Sequence, residues 1–113
     1  FHNGAGFTAD DVLASLTRVS DKTSPLRGHL PAYKSAKKVD DYTIDIELTG
    51  PYPLLLNDLT NIHIFNAAWL AENNSLKPTD VGAKLEGYAT YHANGTGPFT
   101  IESRVPDSKT VLV

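Results

Sequence analysis

An α+β fold, built from an antiparallel hairpin or small sheet and several short helices, is what this sequence of 113 residues predicts. Three observations carry that reading. Apolar residues recur at helical spacing between Thr8 and Val19, they alternate residue by residue between Tyr42 and Leu48, and Gly, Pro and Asn cut the remainder into short pieces. The length suits one domain, residues 1–113, and is too short for two ordinary ones.

The elements follow in order. Thr8 stands where a helix cap belongs, with Asp11 three residues on in capping-box position, and Asp10 and Asp11 complement the positive end of the helix dipole. Val12, Leu13, Leu16 and Val19 then form one stripe, so the helix packs a single face. Ser20 to Pro31 is rich in breakers and reads as a loop with one short helical turn. Tyr42, Ile44, Ile46 and Leu48 alternate with Thr43, Asp45 and Glu47 as a strand with one polar face; Asp40-Asp41 is the turn before it and Tyr33 to Val39 its partner. After the Gly50-Pro51 stop, Pro53 to Leu59 reads as a short, mostly buried helix.

Ile62 to Phe65 is an apolar run too short for a helix, and Ala67 to Glu72 a short helix carrying the single Trp, Trp69. Asn73 to Thr79 reads as polar loop, Asp80 to Tyr88 as a weak helix and Asn94 to Pro98 as a turn. Phe99 to Ser103 alternates as a strand, Pro106 to Ser108 turns, and Thr110 to Val113 starts another strand. A strand that runs to the last residue, together with the lack of any Met, leads to the expectation that this is a piece of a longer chain. Phe1 to Gly4 has neither the basic start nor the apolar core of a leader peptide.

Composition removes several function classes. Hydrophobic residues at 41% and charged residues at 20% are globular values, and ten basic against thirteen acidic residues give a net charge of −3, which disfavours nucleic acid as a partner. No apolar run reaches the ~20 residues of a membrane-spanning helix. The absence of Cys removes disulfides, thiolate nucleophiles and Cys-based zinc sites. His2, His29, His63 and His92 lie far apart in sequence without metal-ligand spacing, so no metal is expected.

Asp10-Asp11 and Asp40-Asp41 serve better as cap and turn than as catalytic pairs, because neighbours on a helix point about 100° apart. Gly95-Thr96-Gly97 runs into Pro98, so it is neither a P-loop nor a dinucleotide fingerprint. No serine sits in a Gly-x-Ser-x-Gly elbow, and Asn73 and Asn94, although each begins a glycosylation sequon, are read as chance matches. Nothing assembles a nucleophile, a base and an oxyanion hole; no catalytic residue and no cofactor are expected.

Three segments together resemble one family. Phe1-His2-Asn3-Gly4 with Phe7 to Val12 is similar to its "FHDGxxFTADDV" stretch, Val39 to Ile44 with Leu48 to Leu55 to its "VDDYTV…L…PYPPFL" segment, and Asn94 to Phe99 to its "GTGPF" turn. The family is that of the bacterial extracellular solute-binding proteins of family 5, which includes peptide- and nickel-binding receptors. The resemblance covers essentially the whole chain.

It implies the small subdomain of the first lobe of a two-lobed receptor that closes on a solute and delivers it to an ABC transporter permease. The implied ligand is an oligopeptide or dipeptide, and the implied location periplasmic, or lipid-anchored outside the cell in a Gram-positive host. By position, His29, Leu30, Tyr33, His63 and Phe65 would line the cleft wall. Nickel-binding relatives carry Arg where His63 aligns, and the acidic residue with which peptide-binding relatives hold the ligand's amino terminus belongs to the second lobe. Thr8, Asp11, Gly95 and Gly97 keep structural roles under the resemblance. Some domains of this kind are fused to DNA-binding or signalling modules, so a solute-sensing domain is the alternative.

Overall fold

The computed structural model describes residues 1–84 and 86–113. Its longest helix, α1 (Ala9–Ser20), begins where Thr8 takes an extended conformation and Asp11 reaches back, its Oδ2 accepting from the Thr8 N–H at 2.9 Å. A hairpin of β1 (Tyr33–Asp40) and β2 (Thr43–Leu48) packs on α1, with Ala36 opposite Ile46 and Lys38 opposite Ile44. Two register shifts, between Tyr33 and Ser35 and between Lys38 and Asp40, interrupt the ladder. At the hairpin tip the Asp41 carbonyl accepts from the Ala9 N–H at 2.7 Å, and Lys38 Nζ bridges Asp10 and Asp41 at 2.8 and 3.0 Å. Tip and helix start are thereby clamped together.

The core is small. Leu16, Val19, Leu30 and Ile62 are buried together, with Val12, Tyr33, Ala36, Ile44, Ile46 and Leu59 packed around them. The alternation read in β2 holds for Ile44, Ile46 and Leu48, all half-buried, but Tyr42 lies in the turn and is 84% exposed. The turn takes two residues, Asp41 and Tyr42, so the strand starts one residue later than its apolar pattern.

Helix α2 (Leu55–Leu59) is shorter and more exposed than its composition suggests: Leu54 and Leu56 face solvent, while Leu59 reaches the core. One and a half turns can bury only one stripe. Helix α3 (Ala67–Glu72) has the expected limits; Asn66 caps it, its Oδ1 accepting from the Trp69 N–H at 3.0 Å.

The helix expected over Asp80 to Tyr88 does not form among the described residues of that span. Residues 81–84 turn, Lys84 has φ +55°, and a short 3-10 helix follows at Tyr88–Thr90. A residue with positive φ cannot continue a right-handed helix; Leu85, within the same span, lies outside the described residues.

A second, separate hairpin ends the chain, β3 (Ile101–Val105) with β4 (Lys109–Leu112), extended by reciprocal bonds between Thr100 and Val113. It begins two residues later than expected, leaving Phe99 exposed, and turns at Asp107 with φ +58°. Arg104 Nη1 donates to the Thr90 carbonyl at 2.7 Å and ties it to the preceding loop. Helices and small antiparallel sheets thus occupy separate stretches, an α+β arrangement.

Candidate functional site

One concavity is an apolar trough of about 550 Å³. One wall is the N-terminal arm, where the rings of Phe1 and Phe7 stack with centroids 6.0 Å apart. The second is the extended run Ile62 to Phe65, and the third the loop Ala93 to Gly97.

Each wall is held by hydrogen bonds that the local sequence makes possible. Ser15, fully buried in α1, accepts from the Phe65 N–H at 2.8 Å and donates to the Asp11 carbonyl at 2.8 Å. One residue further, Asp11 Oδ1 accepts from the Ala67 N–H at 2.7 Å and from Asn66 Nδ2 at 3.0 Å. The run needs these anchors because it belongs to no sheet.

His2 joins the arm to the loop. Its N–H donates to the Gly95 carbonyl at 2.8 Å, while its ring lies 3.3 Å from the Gly95 N–H through Nδ1 and 2.8 Å from the Gly97 carbonyl through Nε2. A backbone N–H facing Nδ1 and a carbonyl facing Nε2 require the tautomer protonated on Nε2. Gly4, at φ +85°, turns the arm where a side chain would be strained.

Asn94 completes the wall. It is 5% exposed, and its Oδ1 accepts from the Asn3 N–H at 3.1 Å. Its Nδ2 is buried and, among the described residues, has no hydrogen-bond partner.

Behind the trough runs a line of stacked groups. The Arg18 guanidinium sits 5.0 Å from the Phe65 ring centroid, Phe65 stacks on Trp69 at 6.3 Å, and Trp69 meets Tyr88 at 5.8 Å. Tyr88 in turn lies flat on His92 at 3.8 Å. Arg18 Nε also donates to the Ser75 carbonyl at 3.0 Å, and partial burial lowers the pKa of this guanidinium from its ordinary value.

The five candidate residues fall in three places. His63 and Phe65 line the trough, His63 exposed and Phe65 half-buried. Leu30 and Tyr33 border a smaller hollow of about 270 Å³ that also includes Arg27 and Lys34. Leu30 is buried in the core and Tyr33 packs against it, with burial raising the pKa of the Tyr33 hydroxyl. His29 is exposed on the 3-10 turn Arg27–His29. Phe1, Phe7 and Asn94 were not candidates from the sequence: the first two sit among turn-forming glycines, and Asn94 opens a turn signal that explains it without any ligand. Among the described residues no group of three or more His, Asp or Glu converges to hold a metal ion. No helix of the described chain is long and apolar enough to cross a membrane.

Comparison with known proteins places this arrangement. Over residues 1–113 the chain matches the family model described as bacterial extracellular solute-binding proteins, family 5 Middle. Two curated relatives, each named HTH-type transcriptional regulator SgrR, from Salmonella choleraesuis (strain SC-B67) and Salmonella typhi, are 29% identical over 118 residues. Those alignments take in 99% of this chain and 17% of each relative. The chain therefore spans about a sixth of their length.

Among solved structures, the PBP AgaA from A. tumefaciens R10, in complex with agropinic acid, superposes with a TM-score of 0.75 at 24% identity, over 98% of this chain and 21% of that one. The two share a fold over that stretch, that of part of a periplasmic binding protein. The chain belongs to the bacterial extracellular solute-binding proteins of family 5.

Proposed function

We propose that this chain is the small subdomain of the first lobe of a two-lobed solute-binding protein, and that the whole protein delivers a peptide or similar small solute to an ABC importer. The observation that carries this is the family match across all 113 residues. The trough supports it: three walls, each held by hydrogen bonds, leave an apolar surface open for a second lobe to cover. His63 and Phe65, which line the trough, are the cleft-wall residues on this reading, while Leu30 and Tyr33 border the separate smaller hollow and His29 stands exposed on its 3-10 turn. The role is binding, without catalysis. Because one lobe makes only half of the contacts, the isolated chain would bind solute weakly or not at all.

The test uses the whole protein. Small molecules released from it by denaturation are identified by mass spectrometry, and affinity is then measured for the protein and for His63→Ala and Phe65→Ala variants. Recovery of short peptides, with both variants weaker by several-fold, supports the reading. A protein that carries and binds no peptide overturns the peptide assignment.

A second reading has its own observation, the two Salmonella relatives named as HTH-type transcriptional regulators. On that reading the domain would sense a solute and pass the signal to a DNA-binding module elsewhere in the whole protein. Cell fractionation separates the two: whole protein outside the cytoplasm supports import and a periplasmic or lipid-anchored location, whereas cytoplasmic protein that retards DNA in a solute-dependent way supports sensing.

A further inference from the structure

The unsatisfied amide of Asn94 has a chemical consequence. A buried donor without an acceptor is costly, so such groups are few and each needs a reason. Asn94 cannot escape by exchanging its two amide atoms: the Asn3 N–H is a donor and requires Oδ1 to face it, which leaves Nδ2 on the side without a partner. The same residue lines the trough, together with Phe7, Ile64 and Phe65. One donor just beneath an apolar surface fixes a ligand's orientation, while the rings supply contact area.

Resting on the solute-binding reading above, we infer that Asn94 Nδ2 is a ligand donor, and that it takes a carbonyl oxygen of a peptide-like solute whose apolar side chain lies along Phe7 and Phe65. In the free chain Nδ2 is screened from water. A carbonyl that reaches it as the wall yields displaces no ordered hydration from that nitrogen. The half-exposed Phe7 ring belongs to that wall. An acceptor is required, since an ammonium headgroup, which has donors only, would leave the amide as unpaired as it is now.

Asn94→Asp separates this role from a structural one. The substitution keeps an oxygen for the Asn3 N–H and replaces the donor nitrogen by an acceptor. Titration calorimetry of the whole protein with phenylalanyl-leucine is expected to show Asn94→Asp weaker by about tenfold or more, the loss of one well-placed hydrogen bond plus repulsion between two acceptors. Phe7→Ala, which leaves Asn94 untouched, is expected to weaken binding of phenylalanyl-leucine by several-fold and to be closer to neutral for glycyl-glycine. Equal affinity of Asn94→Asp and the parent for phenylalanyl-leucine overturns the inference and leaves the solute-binding reading standing. Parent protein that binds neither dipeptide overturns the inference and the peptide assignment together. Should Asn94→Asp fail to fold, Phe7→Ala decides, and equal loss for both dipeptides counts against the inference.

Discussion

Asp11 and Asn66 stand 55 positions apart in sequence and meet through a buried bond, Asn66 Nδ2 donating to Asp11 Oδ1 at 3.0 Å. The two belong to the capping of different helices, Asp11 reaching back to the Thr8 cap at the start of α1 and Asn66, itself the cap, accepting from Trp69 at the start of α3. One carboxylate thus closes the first turn of its own helix and orients the cap of another. Asp11→Ala strands three donors, the N–H groups of Thr8 and Ala67 and the Asn66 amide, and is expected to cost about 3 kcal/mol in chemical denaturation. Asp10→Ala, at an exposed neighbour, is expected to stay within about 1 kcal/mol. Equal losses at the two positions would mean that the joint carries no special weight.

Ser15→Ala tests how the trough wall is held. It leaves the Phe65 N–H without its acceptor and is expected to destabilise by about 1–3 kcal/mol. Hydrogen exchange followed residue by residue should show the Phe65 amide losing protection well before the amides of α1. Unchanged protection at Phe65 would assign the wall to packing instead.

With a core this small, single side chains weigh heavily. Leu16→Ala is expected to lower stability by about 2–5 kcal/mol, because Leu16 is buried against Val19, Leu30 and Ile62. Leu56→Ala, on the exposed face of α2, is expected to change it by less than about 0.5 kcal/mol. Thermal melts of the two variants side by side decide the matter.

Three exposed carboxylates make stability depend on acid. Lys34 Nζ and then the Ser35 hydroxyl hold Glu47 below its ordinary pKa; the Tyr42 N–H and Thr43 side chain do so for Asp40, and the Thr23 N–H and hydroxyl for Asp21. A lowered carboxylate pKa contributes stability that is fully present above the ordinary value, roughly pH 4, and is lost as pH falls through the folded value. Denaturation midpoints are therefore expected to fall from about pH 5 downward, less steeply in Glu47→Gln and in high salt. Lys38, raised by its bonds to Asp10 and then Asp41, works in the other direction: its contribution is complete below the ordinary lysine value and disappears as pH climbs through the raised one. A flat acid limb would remove these contacts from the stability of the chain.

Local rules account for what was legible in the sequence. The Thr8/Asp11 cap, the alternation of Ile44, Ile46 and Leu48, and the limits of α3 follow from side chains within a turn or a strand of one another. The misses each have a nonlocal or steric cause. Tyr42 is carried out of the strand by a two-residue turn, Leu54 and Leu56 sit on the wrong side of a helix too short to bury two faces, and Lys84 at positive φ stops the expected helix. The site was legible in part. An apolar run at Ile62 to Phe65 could be found by composition, but its meeting with Phe1 and Phe7 depends on His2 reaching Gly95 and Gly97, more than ninety residues away. No spacing rule anticipates that closure, and the idle nitrogen of Asn94 becomes visible only once both of its neighbours are known.

The run from Ile62 to Phe65 borders more than the trough. Its isoleucines also line a second apolar hollow, of about 400 Å³, floored by Val12, Leu16, Ile44, Ile46 and Leu59. A single stretch of backbone that joins no sheet is thus a partition between two compartments, and its position sets how the space is shared. If the trough takes the solute as proposed, selectivity would be retunable from the rear: enlarging Leu59 or Ile44, which line only the second hollow, would press the partition forward and reshape the trough.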